Sequence, residues 1–315
     1  MLRPLLSIGG ILFATACAAT APPASKPLSE VPKPALPEVS AAIGSALAGA
    51  KGTTAVSFYD LATGETAGRE EHRRFHAAST MKVPVLVELF RAIDRGEMAL
   101  DRPVPVKNEF KSLVDGSPFS LNQEEDGDPD LYAAVGESRA LGELARRMIQ
   151  RSSNLSTNLL IELLGAKRVT AAMRELGASE IEVLRGVEDQ KAFDAGLINS
   201  TTAYDLQVIL RAIAEKKAVS GAASAAMIEI LEGQEFKEKI PAGLPPGTRV
   251  ANKTGDITGI HHDAAIIFPP GPPGRAPYVL VVLTEGYPSE EEADASIGAV
   301  SKAVWQAVQA GASSR

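Results

Sequence analysis

Cysteine is all but missing from this chain. The single one, Cys17, lies close to the N-terminus, so the body of the protein can form neither an intramolecular disulfide nor a thiol-based site. Histidine is scarce too, with four residues in all. His261-His262-Asp263 hints at metal binding, but no further histidine stands nearby to complete a usual ligand set. Packing where a strand begins is the better account, and no metal or other cofactor is expected. Positive charge is not in excess: the formal net charge is -7 with both signs scattered, which repels nucleic acid and anionic lipid. Runs of like charge are short (Arg73-Arg74, Glu290-Glu291-Glu292) and read as solvated face or helix start. Aromatic residues make up 5%, and Phe90, Phe110, Phe119 and Phe236 read as core or cleft wall. There is no internal repeat, and beyond the N-terminal segment no apolar run is long enough to span a bilayer.

The composition that is present, 45% hydrophobic and 23% charged over 315 residues, is ordinary for a globular protein. Arg3, an apolar stretch from Leu5 to Phe13 and the small residues Ala14, Thr15 and Ala16 form a secretory signal pattern over 1–17. Ala14-Thr15-Ala16-Cys17 is similar to a bacterial lipobox, with alanine where leucine is usual. Either Cys17 is lipidated and begins the mature chain, or it goes with the leader. Export to the periplasm or an outer cell surface is expected in both cases. Residues 18–38, with Pro22, Pro23, Pro27, Pro32, Pro34 and Pro37, read as a tether. The catalytic domain is expected over 39–315 as a monomer.

Strand patterns fall at Thr53–Tyr59, Glu65–Arg69, Arg249–Thr254, Ala264–Phe268 and Tyr278–Thr284. Helical spacing covers 39–50, 80–95, 139–151, 155–164, 168–176, 202–215, 221–232 and 290–311. Strands at both ends with helices between them argue for an α+β fold. We expect an antiparallel sheet of about five strands flanked by the terminal helices, plus an inserted all-helical lobe over about 80–232. A site is expected in the cleft between them.

Three motifs carry chemistry. Serine needs a base within hydrogen-bond reach, and in Ser79-Thr80-Met81-Lys82 the first and last residues share a helix face. Lys82 acts as a base only if its surroundings lower its pKa. Alone this is weak, since ~1 Ser-x-x-Lys arises by chance at this length. Pro84 removes an amide near the helix start, where the loss is tolerated. Ser152-Ser153-Asn154 offers a hydroxyl for proton transfer and an amide for a substrate carbonyl, though helix capping explains it equally well. Lys253-Thr254-Gly255 ends a strand: cation and hydroxyl suit a carboxylate, and glycine leaves room along the strand edge. Its chance count is ~0.1.

The order and placement of the three resemble the trio of class A β-lactamases and penicillin-binding proteins. The flanks agree: Ser152 to Leu160, Asn199-Ser200-Thr201-Thr202-Ala203 as the end of an Ω-loop, and Val250 to Gly255 as a strand. The resemblance covers about 40–312. It implies acylation of Ser79 by a small β-lactam or peptidoglycan-like substrate, with Lys82 moving the proton. It further implies Ser152 as relay to the leaving nitrogen and Asn154 on the acylamide. Lys253 and Thr254 would hold the substrate carboxylate, and the amides of Ser79 and Asp256 would form an oxyanion hole.

The match departs from the family in places. The deacylating glutamate belongs to a pattern like Arg-x-Glu-x-x-Leu-Asn. Here Arg185-Gly186-Val187-Glu188 places Glu188 one residue further from the arginine, with no asparagine four residues on. Glu188 is the candidate base, and a surface glutamate is the competing account. Ser153 replaces an aspartate. The acidic stretch 107–136 is longer than expected and reads either as a lid or as a surface excursion. The expected activity is β-lactam hydrolysis. A D-Ala-D-Ala peptidase or esterase with the same nucleophile, and a penicillin-binding sensor that deacylates slowly, stay open.

Overall fold

The computed structural model describes residues 36–270 and 276–313. The leader, Cys17 and nearly all of the tether lie outside them, as does most of the turn at 271–277.

Helix α1 (Pro37–Ala46) starts two residues before the expected boundary, because Pro37 at its first turn is already set for helical φ. Strands β1 (Thr53–Asp60) and β2 (Thr66–Arg69) form a hairpin. A two-residue strand β3 (Phe75–His76) leads to a 3₁₀ turn, Ala78–Met81, which runs straight into α2 (Lys82–Asp94). Pro84 is the third residue of α2, where the missing amide would have had little to bond.

The stretch after α2 is neither a free lid nor a purely surface excursion. Strands β4 (Pro103–Pro105), β5 (Phe110–Lys111) and β6 (Pro118–Phe119) are followed by 3₁₀ turns at Gln123–Glu125 and Pro129–Ala134 and by β7 (Ser138–Ala140). β4 pairs with β7, and β5 with β6. Val106, Phe110, Leu121 and Leu131 are buried in the main core, so the segment packs as part of the lobe. The lobe is thus not all-helical. Its helices are α3 (Leu141–Gln150), α4 (Asn154–Leu164), α5 (Ala166–Glu175), α6 (Gln190–Asp194), α7 (Ala203–Ala214) and α8 (Gly221–Glu232). Strand β8 (Ser200–Thr201) pairs back with β3.

Strands β9 (Arg249–Ile257), β10 (Ile260–Phe268) and β11 (Tyr278–Glu285) complete the molecule together with α9 (Glu290–Ser313). The sheet order is β2-β1-β11-β10-β9, antiparallel throughout. The strand period of two divides the core cleanly. Ala55, Tyr59, Ala264, Ile266, Val279, Val281 and Leu283 face the lobe. Val56, Phe58, Ala265, Ile267, Tyr278, Leu280 and Val282 meet Val39 and Ile43 of α1 and Ile297, Val300 and Val304 of α9. That double coverage is why β11 reads as an unbroken apolar run. Each Val, Leu, Ile or Phe among them, fully buried, contributes about 1.5–3 kcal/mol. Among the described residues no helix is long and apolar enough to cross a membrane.

Candidate active site

Ser79 sits where the chain is forced. Ala78, just before it, has φ +44°, a left-handed conformation that β-carbons resist. The strain is held by neighbours: the Ala78 amide donates to His76 Nδ1 at 3.0 Å, and the Ala77 amide donates to the Asn199 carbonyl at 2.8 Å. His262 fixes the other side. Its Nε2 lies 2.9 Å from the His76 carbonyl, and its Nδ1 lies 2.8 Å from the His261 carbonyl and 3.1 Å from the Thr284 amide. Burial brings the His262 pKa down to about 4, so the ring is neutral and structural. The histidine pair therefore splits. His262 braces the turn that carries Ser79, and His261 Nδ1 lies 3.0 Å from Asp256 Oδ1.

β9 runs beside this turn. A β-carbon on Gly255 would lie 3.0 Å from the Thr80 nitrogen and 3.1 Å from that of Ser79. The glycine therefore first allows strand and turn to close on each other. Ser79, Ser152, Asn154, Thr254 and Asp256 line one cleft of about 330 Å³ between sheet and lobe.

Both motif lysines are fully buried and converge on Ser152. Lys82 Nζ donates to the Ser152 carbonyl (2.6 Å), to Asn154 Oδ1 (2.8 Å) and to Ser152 Oγ (3.2 Å). Lys253 Nζ donates to Ser152 Oγ (3.1 Å) and to the Thr254 carbonyl (2.9 Å). The expected hydrogen bond between Lys82 and Ser79 is not formed. They share a face, but the second motif takes the ammonium's donors. Burial pulls the Lys82 pKa down to about 7, against the opposing pull of Asp126 and Glu188. Burial, and then the charge of Lys82, hold Lys253 well below the ordinary lysine range. Ser152 itself has φ +58°, and Ser153 caps α4 by accepting from the Ser156 amide at 3.2 Å. Capping is thus what the residue in the aspartate's place does.

The loop 184–199 brings Glu188 to the same group. Asn154 Nδ2 donates to Glu188 Oε1 (2.8 Å), and the Asn122 amide donates to Oε2 (2.9 Å). Glu188 is half-buried, and burial raises its pKa despite these donors. It has φ +61°, a left-handed conformation that is uncommon for a residue with a β-carbon. Asn158 fixes the approach: its Oδ1 accepts from the Val187 amide (2.7 Å) and its Nδ2 donates to the Val187 carbonyl (3.0 Å). A β-carbon on Gly186 would lie 2.3 Å from Asn158 Oδ1. The loop's neck is closed by Asn199, which accepts from the Leu184 and Arg185 amides and donates to the Arg185 carbonyl. Arg185 in turn donates to the Leu197 and Gly186 carbonyls. Among the described residues, three of the five non-glycine residues with positive φ (Ala78, Ser152, Glu188) therefore border this site, as stored strain at functional positions leads one to expect.

Sequence reasoning assigned no role to Asn122, Asp126, Asn158 or Lys239. Lys239 lines the cleft, 2.8 Å from Asp256 Oδ1 and 3.5 Å from Asp294 Oδ1. Asp256, His261 and Asp294 have potential ligand atoms within 4.8 Å of one another. The Lys239 ammonium already supplies the positive charge there. Asp256 lies on β9, His261 on β10 and Asp294 on α9, so their grouping was not recoverable from local patterns.

Comparison with known proteins agrees with this geometry. The family model described as the β-lactamase enzyme family matches residues 38–308. A β-lactamase of Streptomyces fradiae is 28% identical over 246 residues, covering 75% of this chain and 74% of that protein. The crystal structure of a β-lactamase from Sphaerobacter thermophilus superposes with a TM-score of 0.71 at 29% identity, covering 87% of this chain and 97% of that one. An ancestral class A β-lactamase gives 0.73 at 27% identity, covering 85% and 99%. Motif order, sheet topology and these likenesses agree, and the chain belongs to the β-lactamase enzyme family, among the class A β-lactamases.

Proposed function

We propose that the protein is a serine β-lactamase that opens the lactam ring through an acyl-enzyme on Ser79. The observation that carries this is Lys82: a fully buried amine with a pKa near 7, bonded to Ser152 and Asn154. At neutral pH a good part of it is unprotonated and able to take a proton.

In this reading Ser79 Oγ attacks the lactam carbonyl and its proton passes to Lys82. Ser152, touched by both lysines, relays a proton to the lactam nitrogen as the C–N bond breaks. The amides of Ser79 and Asp256 stabilise the oxyanion. Lys253 and Thr254 hold the substrate carboxylate beside Gly255, and Asn154 holds the acylamide. Glu188 then takes a proton from a water that attacks the ester, and Ser79 leaves with its proton restored. The reaction needs no cofactor. We further read the chain as an exported monomer, of the periplasm or outer cell surface, either anchored at Cys17 or released by leader cleavage. The leader pattern at 1–17 supports export.

A second reading rests on the displaced spacing of Glu188: acylation without turnover, as in a penicillin-binding sensor or peptidase. Nitrocefin turnover by the purified protein, followed together with intact mass, separates the two. Steady turnover that vanishes in Ser79→Ala is the expected result. A stoichiometric mass gain without turnover supports the second reading, and neither adduct nor turnover overturns both.

A further inference from the structure

Asp126 belongs to none of the three motifs and lies in the 107–136 stretch. It is nonetheless buried, with 6% of its surface exposed. Its Oδ1 accepts from the amides of Asn154 (3.0 Å) and Asp128 (2.9 Å). Its Oδ2 accepts from the Leu155 amide (2.8 Å) and from the Tyr132 hydroxyl (3.0 Å). Two of these donors are the first two residues of α4. Their amides have no partner within the helix, and a carboxylate there also meets the positive end of the helix dipole. The same Asn154 presents Oδ1 to Lys82 and Nδ2 to Glu188.

We propose that Asp126 is a positioning residue for the reaction at Ser79: by clamping the start of α4 it sets the Ser152–Asn154 segment that holds Lys82 and Glu188. The inference rests on Ser79 being the acylated nucleophile. The clamp reaches both candidate proton carriers through one residue, so a shift of α4's first turn displaces them together. Position matters at this scale, since a displacement of about 1 Å at a catalytic group costs on the order of 10²-fold. The segment carrying Asp126 is itself tied down. Asp128 is paired with Arg147 and Arg151, and a β-carbon on Gly127 would lie 2.1 Å from the Arg151 carbonyl oxygen. Asp126 also adds charge. The charged groups acting on Lys82 are Asp126, Glu188 from the loop 184–199 and Lys253 from β9. Removing the Asp126 anion leaves the ammonium form of Lys82 less favoured.

The test is the pH profile of nitrocefin kcat/KM in the full-length protein and in Asp126→Asn, which keeps the shape but loses the charge and one acceptor. The expected result is a plateau at least ~10-fold lower and an acidic limb moved down by about 1 pH unit. A merely structural role lowers stability but leaves the limb in place. Asp126→Glu keeps the charge without the fit, and is expected to lower the plateau with the limb unmoved. A plateau within about twofold of the parent, or an unmoved limb in the folded Asn variant, overturns the proposal. So does failure of both variants to fold, by circular dichroism, because the residue is then part of the scaffold alone. Turnover that survives Ser79→Ala would instead sink the nucleophile assignment, and this inference with it.

Discussion

Gly255 stands so close to Ser79 that a β-carbon there would lie 3.1 Å from the Ser79 nitrogen. It would also meet the Thr80 nitrogen at 3.0 Å and the methyl of the buried Thr80 side chain at 3.1 Å, so backbone is in the way. Gly255→Ala must therefore move β9 or the nucleophile's turn. The expected cost is about 1–3 kcal/mol of stability and a fall in acylation of at least ~10-fold. Urea unfolding and single-turnover nitrocefin kinetics read the two effects separately.

Lys82 predicts a pH dependence. Its pKa is lowered to about 7 by burial, so below that value it is an ammonium with no lone pair to give. Acylation, read as kcat/KM between about pH 5 and 9, should rise through about 7 and level off above it. A profile that is flat across neutrality would remove Lys82 as the base.

Glu188→Gln should separate the two half-reactions. The amide still reaches Asn122 or Asn154 but takes no proton. Acylation should persist within a few fold while deacylation falls by ~10²–10⁴. Intact mass during turnover should then show a long-lived adduct equal to the intact penicillin. An unchanged rate would make Glu188 a bystander.

Asp128 is fully buried and is shared by Arg147 (2.8 Å) and Arg151 (2.9 Å). Asp128→Ala leaves two guanidinium groups that are 26% and 39% exposed. The expected loss is about 2 kcal/mol, less than the 3–5 of a wholly buried pair, because water reaches both cations and they keep Glu143, Asp130 and Glu235 as partners. The denaturant midpoint should drop with no change in slope.

How legible the molecule was in its sequence depended on the range of the interactions. The apolar run of β11 and the helical spacing of α7 are local, and both appear where the sequence pattern put them, within a residue or two. Ser79, Lys82, Ser152 and Lys253 carry recognisable triplets. The destination of the Lys82 donors was not legible, because Ser79, Ser152 and Asn154 compete for them in three dimensions. Glu188 looked one residue out of place, yet its carboxylate meets Asn154. Asp126 and Asn158 carry no signal at all. Each does its work on backbone amides about thirty residues away, and an amide has no side-chain identity for a pattern to record.

The sheet order has a consequence for how the molecule is made. β1, the first strand in chain order, pairs on its inner side with β11, the last. Until 278–285 emerges, the β1–β2 hairpin is a two-stranded ribbon of the kind that is barely stable alone. Ser79 and Lys253 likewise have no common surface to meet across. A nascent chain is therefore catalytically silent and slow to collapse into its final form. Such a polypeptide acquires its chemistry only once its last strand has arrived.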